Sequence, residues 1–129
     1  MEFKSRKYDR FIACENVFAA LGRNYSKIGK IKDLSLGGLA FEYITAEDEN
    51  LTISDVDVFL SNSIFHLYNL PCRVIYDIEI HSPYVKNKFR QMLITKRCGI
   101  EFQRLTKNTE LQLNFFLQVH TVGLGSVNF

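Results

Sequence analysis

From residue 15 to about residue 102 the chain alternates apolar and polar side chains with a period of two, in short pieces broken by Gly, Asn, Ser, Pro and Asp. That pattern commits the backbone to strands that each bury one face, because successive side chains of a strand project to opposite sides. The pieces are 17–21, 27–32, 38–44, 55–60, 64–69, 72–80, 89–95 and 98–102. Alternation is cleanest in two of them. In 38–44, Leu39, Phe41 and Tyr43 oppose Ala40, Glu42 and Ile44; in 72–80, Cys72, Val74, Tyr76, Ile78 and Ile80 oppose Arg73, Ile75, Asp77 and Glu79. Many short strands joined by polar turns read as a sandwich or barrel, and closure removes the edges on which such a body would aggregate. Beyond Phe102 the period changes. Thr106 or Asn108 can cap a helix, Glu110 falls in its first turn, and Leu111, Phe115, Val119 and Val122 recur at helical spacing, which predicts one amphipathic helix over 107–122. The expected fold is all-β dominated, a small antiparallel β-barrel with a C-terminal α-helix. Residues 1–10 are expected to form a flexible basic arm, 11–122 the barrel and helix, and 123–129 a short tail.

With 129 residues there is room for one domain, and 47% hydrophobic with 23% charged residues excludes a disordered or membrane-spanning chain. The longest apolar stretches are far short of the roughly 20 residues a spanning helix needs, and the charged start MEFKSRKYDR precedes no secretory h-region, so a cytoplasmic protein with no membrane association is expected. Cys14, Cys72 and Cys98 are odd in number and never spaced as C-x-x-C, which points to three reduced thiols rather than disulfides or zinc ligands. His66, His81 and His120 are scattered, so no metal is expected. The net charge of +2 conceals a partition. Residues 1–32 carry 8 Lys/Arg against 3 Asp/Glu, residues 33–83 carry 1 against 9, and residues 84–129 carry 7 against 2. Such asymmetry fits an anionic ligand or partner, and it fits a solvated surface of mixed sign as well.

Two short motifs stand out. Arg6-Lys7-Tyr8-Asp9-Arg10 is an R-x-x-x-R, and Asp33-Leu34-Ser35-Leu36-Gly37-Gly38 is a D-x-S-x-x-G. Each alone has an ordinary explanation: solvated arginines on a terminus, and a tight turn in which Asp33 and Ser35 bond the backbone and the glycines supply positive φ. In this order, with a strand-like segment between them and Leu-Ala-Phe-Glu after them, they resemble the PilZ domain family. Gly99-Ile100-Glu101-Phe102 also matches that family's Gly-x-x-Phe strand, which a helix follows. The resemblance runs from Arg6 to about Val122, with residues 47–95 matching in pattern only. It implies a six-stranded split barrel and a non-catalytic receptor for the bacterial second messenger cyclic di-GMP, signalling to a partner protein in the control of motility or biofilm formation. No cofactor is implied beyond that ligand.

The residue types suit the chemistry. The arginine fork donates paired hydrogen bonds to phosphate oxygens or to guanine O6 and N7, and its face stacks on purines, so Arg6 and Arg10 are candidate ligand residues. Asp33 can accept from guanine N1–H and N2–H; Ser35 can bond the ligand or fix the turn; Gly37 and Gly38 can let a flat base approach the backbone. Ser5, Lys4, Lys7 and Gly99 are further candidates. In this family a basic residue just before the first arginine favours an intercalated ligand pair, and Ser5 in that position leaves the stoichiometry open. Two rival readings are a PilZ-like adaptor that binds protein without nucleotide and a small barrel that binds single-stranded nucleic acid. The acidic middle third and the small net charge argue against a nucleic acid polymer, and no nucleophile and base pair points to an enzyme.

Overall fold

The computed structural model describes residues 8–22, 24–46, 51–80 and 93–124. Among these described residues, eight strands and one helix follow in the order β1 (Phe11–Ala13), β2 (Val17–Leu21), β3 (Lys27–Leu34), β4 (Gly38–Thr45), β5 (Ile53–Leu60), β6 (His66–Glu79), β7 (Ile94–Phe102), α1 (Lys107–Val119) and β8 (Thr121–Leu124). Strands pair in the order β2-β5-β6-β7-β4-β3, and β3 returns to β2, so six antiparallel strands close a barrel. β1 continues the sheet beyond β3, and β8 pairs with β1.

The barrel interior is filled. Leu39, Phe41 and Tyr43 of β4 point inward as their alternation predicts, against Val17, Leu21, Val56, Val58 and Cys98. α1 closes one end. Thr106 caps it, its hydroxyl oxygen accepting the Thr109 amide at 3.1 Å, and Glu110 favours the positive end of the helix dipole.

The elements depart from the sequence expectation in three ways. Segments 64–69 and 72–80 are one continuous strand, β6. Cys98–Phe102 is the end of β7, which begins at Ile94, while residues 89–92 of the predicted neighbour lie outside the described residues. The second departure is a β-bulge at Ile75, where Val74 faces Ile100 and Tyr76 faces Gly99. One extra residue reverses the alternation from there on. Asp77 consequently turns inward, where it accepts hydrogen bonds from Lys27 Nζ at 2.8 Å and from the Tyr43 hydroxyl at 2.8 Å, while Tyr76 and Ile78 turn out. Third, α1 ends at Val119 rather than 122, and it buries Leu113, Phe116 and Leu117 while Leu111, Phe115 and Val119 are exposed. Phe116 decides the face, stacking on Phe65 with centroids 4.6 Å apart. The next residues then leave the helix to form β8.

The thiols of Cys72 and Cys98 are buried, and Cys14 is partly so. Burial pushes both buried thiols up to about 12, where they stay protonated and unreactive at neutral pH.

Candidate functional site

Asp33 owes its position to a bulge. In β3, Ile31 faces Phe41 and Asp33 faces Ala40, so Lys32 is an extra residue on the β3 side. Strict alternation would send Asp33 into the core with Ile31. The bulge instead turns Asp33 outward, its side chain 20% exposed, and returns Leu34 to the interior.

The following turn is built by Ser35. Its amide donates to the Gly38 carbonyl at 2.8 Å, and its hydroxyl oxygen accepts the amides of Gly37 and Gly38 at 3.0 and 3.2 Å. Gly37 and Gly38 have no positive φ; among the described glycines only Gly22 does. Close packing is what requires them. A Cβ on Gly37 would strike the Tyr8 ring, and one on Gly38 would strike the carbonyl of Ile100.

β1 lies along the end of β3, with Ile12 opposite Asp33 and Phe11 opposite Leu34. Arg10, the residue before β1, is thereby brought beside the β3–β4 turn. A cavity of about 360 Å³ opens on the outer wall of the barrel at this point, lined by Arg10, Asp33, Ser35, Gly37, Gly38 and Gly99. These are six of the ten candidate ligand residues named from the sequence. Arg6, Ser5, Lys4 and Lys7 lie outside the described residues.

The same cavity has lining residues that sequence reasoning missed: Tyr8, Arg73, Tyr76 and Glu101. Tyr8 stands inside the R-x-x-x-R segment, and its contact with Gly37 is the only one of these with a signal in the sequence, an aromatic between two arginines. Arg73 and Glu101 face each other across β6 and β7 and pair at 2.7 Å. Both are about half exposed, so the pair contributes little to stability. Unbroken alternation would place Tyr76 on the same face as Cys72 and Val74, and only the bulge at Ile75 brings it here.

Arg97 stands behind Asp33. Its Nη2 lies 3.8 Å from Asp33 Oδ2 and its Nη1 lies 3.6 Å from Glu42 Oε2, so its positive charge stands between two carboxylates on neighbouring strands. Its Nε is buried with no hydrogen-bond partner among the described residues. The cavity therefore mixes arginine forks with carboxylates. It can accept a ligand that presents both anionic oxygens and N–H donors.

A closed barrel with a filled interior and a cavity on its outer wall, lined by charged, aromatic and small side chains, defines the architecture of a small β-barrel domain. The chain belongs to the PilZ domain family, whose profile matches residues 4–118. Among solved structures it is similar to the PilZ domain with c-di-GMP of YcgR from Escherichia coli, with 21% identity over 89% of this chain and 90% of that one and a TM-score of 0.64. It is also similar to YcgR in complex with c-di-GMP from Escherichia coli, with 20% identity and a TM-score of 0.58; there the match covers 88% of this chain and 44% of the other. No curated protein sequence matches the chain.

Proposed function

We propose that this chain is a non-catalytic receptor for cyclic di-GMP that passes the signal to a downstream protein in the cytoplasm. The observation that carries this reading is the convergence of Arg10, Asp33 and Ser35 on one outer-wall cavity, although Arg10 and Asp33 are 23 residues apart in the chain. Family membership and the two neighbours whose titles name c-di-GMP support the same ligand.

In this reading Arg10 donates its fork to a phosphodiester or to a guanine O6/N7 edge, and Arg6 joins it from the arm. Asp33, turned outward beside Arg97, accepts the N1–H and N2–H of a guanine. Ser35 keeps the turn in shape more than it touches ligand, since its hydroxyl already serves two amides. Gly37 and Gly38 pack against protein, so the base meets Tyr8 and the side chains of the wall rather than bare backbone.

Isothermal titration with cyclic di-GMP, cyclic di-AMP and GMP tests the reading. Tight binding of the first alone is expected, with a fitted stoichiometry that decides between one ligand and an intercalated pair. No heat with any of the three would favour the nucleotide-independent adaptor. Tighter binding of a single-stranded oligonucleotide than of cyclic di-GMP would favour the nucleic-acid reading. In the same reading ligand charge draws the arginines in and orders residues 1–10, and this ordering is the signal; backbone relaxation of those residues unchanged by saturating ligand would rule it out.

A further inference from the structure

From Leu111 onward the sequence carries no formal charge. All 16 Lys/Arg and all 14 Asp/Glu precede Leu111, and 111–129 holds none. In a protein whose other surfaces are laced with ions, a neutral stretch of that length belongs in the interior. Part of it is outside instead. Leu111, Phe115 and Val119 of α1 follow at i, i+4 and i+8, and all three are half to two-thirds exposed. They form one apolar stripe, separate from the buried face of Leu113, Phe116 and Leu117. The charges of α1, Lys107 and Glu110, both stand ahead of it.

The stripe leads into an open sheet edge. Val119 ends α1 and Thr121 begins β8, which pairs with β1 on one side. β2 closes on β3, and β1 lies between β3 and β8, so among the described residues β8 alone has an edge that pairs with no strand. Such edges are ordinarily blunted by proline, lysine or an inward charge, and Thr121-Val122-Gly123-Leu124 has none of these. We infer that the α1 stripe and the β8 edge together are an interface for a second copy of this chain, formed about a two-fold axis with the two β8 strands antiparallel. A strand edge pairs with its own copy in that arrangement, the amides of one meeting the carbonyls of the other. Charge selects the occupant. A second copy brings the same neutral face, so no ion loses its water on contact, whereas the charged surface of most other proteins would. Area sets the extent. A stable interface buries roughly 800 Å² on each side, more than three side chains supply, so the stripe needs the strand edge beside it. No residue lining the ligand cavity belongs to this interface, so the inference stands independently of the cyclic di-GMP reading.

Sedimentation equilibrium of the full chain over a range of concentrations reads the state directly, against a protomer of 15.0 kDa. A reversible equilibrium between one and two copies is expected, weakened about ten-fold or more by Phe115→Glu, which places a carboxylate from each copy in a desolvated contact. Phe115 is exposed in the protomer, so this variant should keep the parent's circular dichroism. Hydrogen exchange reports on the edge. The β8 amides that face away from β1 should be protected in the dimer and exchange freely in Phe115→Glu at the same concentration. A parent that stays monomeric at every concentration overturns the inference. So does a dimer that Phe115→Glu leaves intact, or one whose outward β8 amides exchange as fast as in the monomer. Growth beyond two copies would mean open-ended stacking and would overturn the two-fold pairing. Should Phe115→Glu not fold, Leu111→Glu makes the same test at the other end of the stripe.

Discussion

Asp33 faces the cavity although Ile31, two residues earlier, faces the core, and the extra residue between them is what lets a carboxylate leave the barrel interior. Its partner is an arginine at 3.8 Å, too long to add much stability, so the side chain is free to serve a ligand. Asp33→Ala should therefore leave the melting temperature within a few degrees while lowering affinity and narrowing the gap between cyclic di-GMP and cyclic di-AMP in titrations. A turn-capping aspartate would show the opposite, with lost stability and intact discrimination. The motif made Asp33 visible in the sequence. It did not show the bulge, because a bulge is a property of two strands and the partner strand is not local. The buried thiols make a second prediction at this scale. Their folded pKa of about 12 exceeds the ordinary value of 9.0, so above pH 9 the unfolded chain loses these protons first. Stability should be full below pH 9 and fall between 9 and 12. Replacing Cys72 by Ala should flatten that alkaline fall in a melting series.

At the scale of elements, α1 carries two overlapping apolar stripes. Leu111, Phe115 and Val119 follow one another at i, i+4 and i+8; Leu113, Phe116 and Leu117 follow at i, i+3 and i+4. Either set makes an amphipathic helix, so periodicity predicts the helix and not its buried face. Phe65, in the turn between β5 and β6, selects the second set by stacking on Phe116. Phe116→Ala should cost about 3–5 kcal/mol in chemical denaturation, as expected for a fully buried aromatic, and Phe115→Ala, 63% exposed, should stay within about 0.5 kcal/mol. The reverse ranking would mean that the helix docks through its other face. β6 shows the same limit. Its alternation holds from Cys72 to Val74, and Asp77 faces inward because one inserted residue exchanges the two faces of everything that follows.

Over the whole molecule, the first and last strands meet. β8 follows α1 directly and pairs with β1, which follows Arg10 directly, with Ala13 opposite Thr121. Arg10 is thereby tied through β1 to the strand that follows α1. Arg10→Ala should lose about 2–4 kcal/mol of cyclic di-GMP binding by titration, the cost of removing a charged hydrogen-bonding partner, and Arg10→Lys should recover little of it. A loss of that size restored by lysine would assign Arg10 a role as a point charge only. The amino-acid sequence by itself determined that the chain is a barrel of short strands followed by a helix, and that Arg10, Asp33 and Ser35 belong to motifs. Those are local facts, carried by side-chain period, capping residues and spacing. Only the tertiary structure decided that the strands before and after the Asn69–Pro71 region are one strand, that Asp33 and Tyr76 share a row on the outer wall, and that Phe116 rather than Phe115 is buried. Each of these depends on which residue of a distant segment stands opposite, and register across a sheet is set by the closure of the whole barrel.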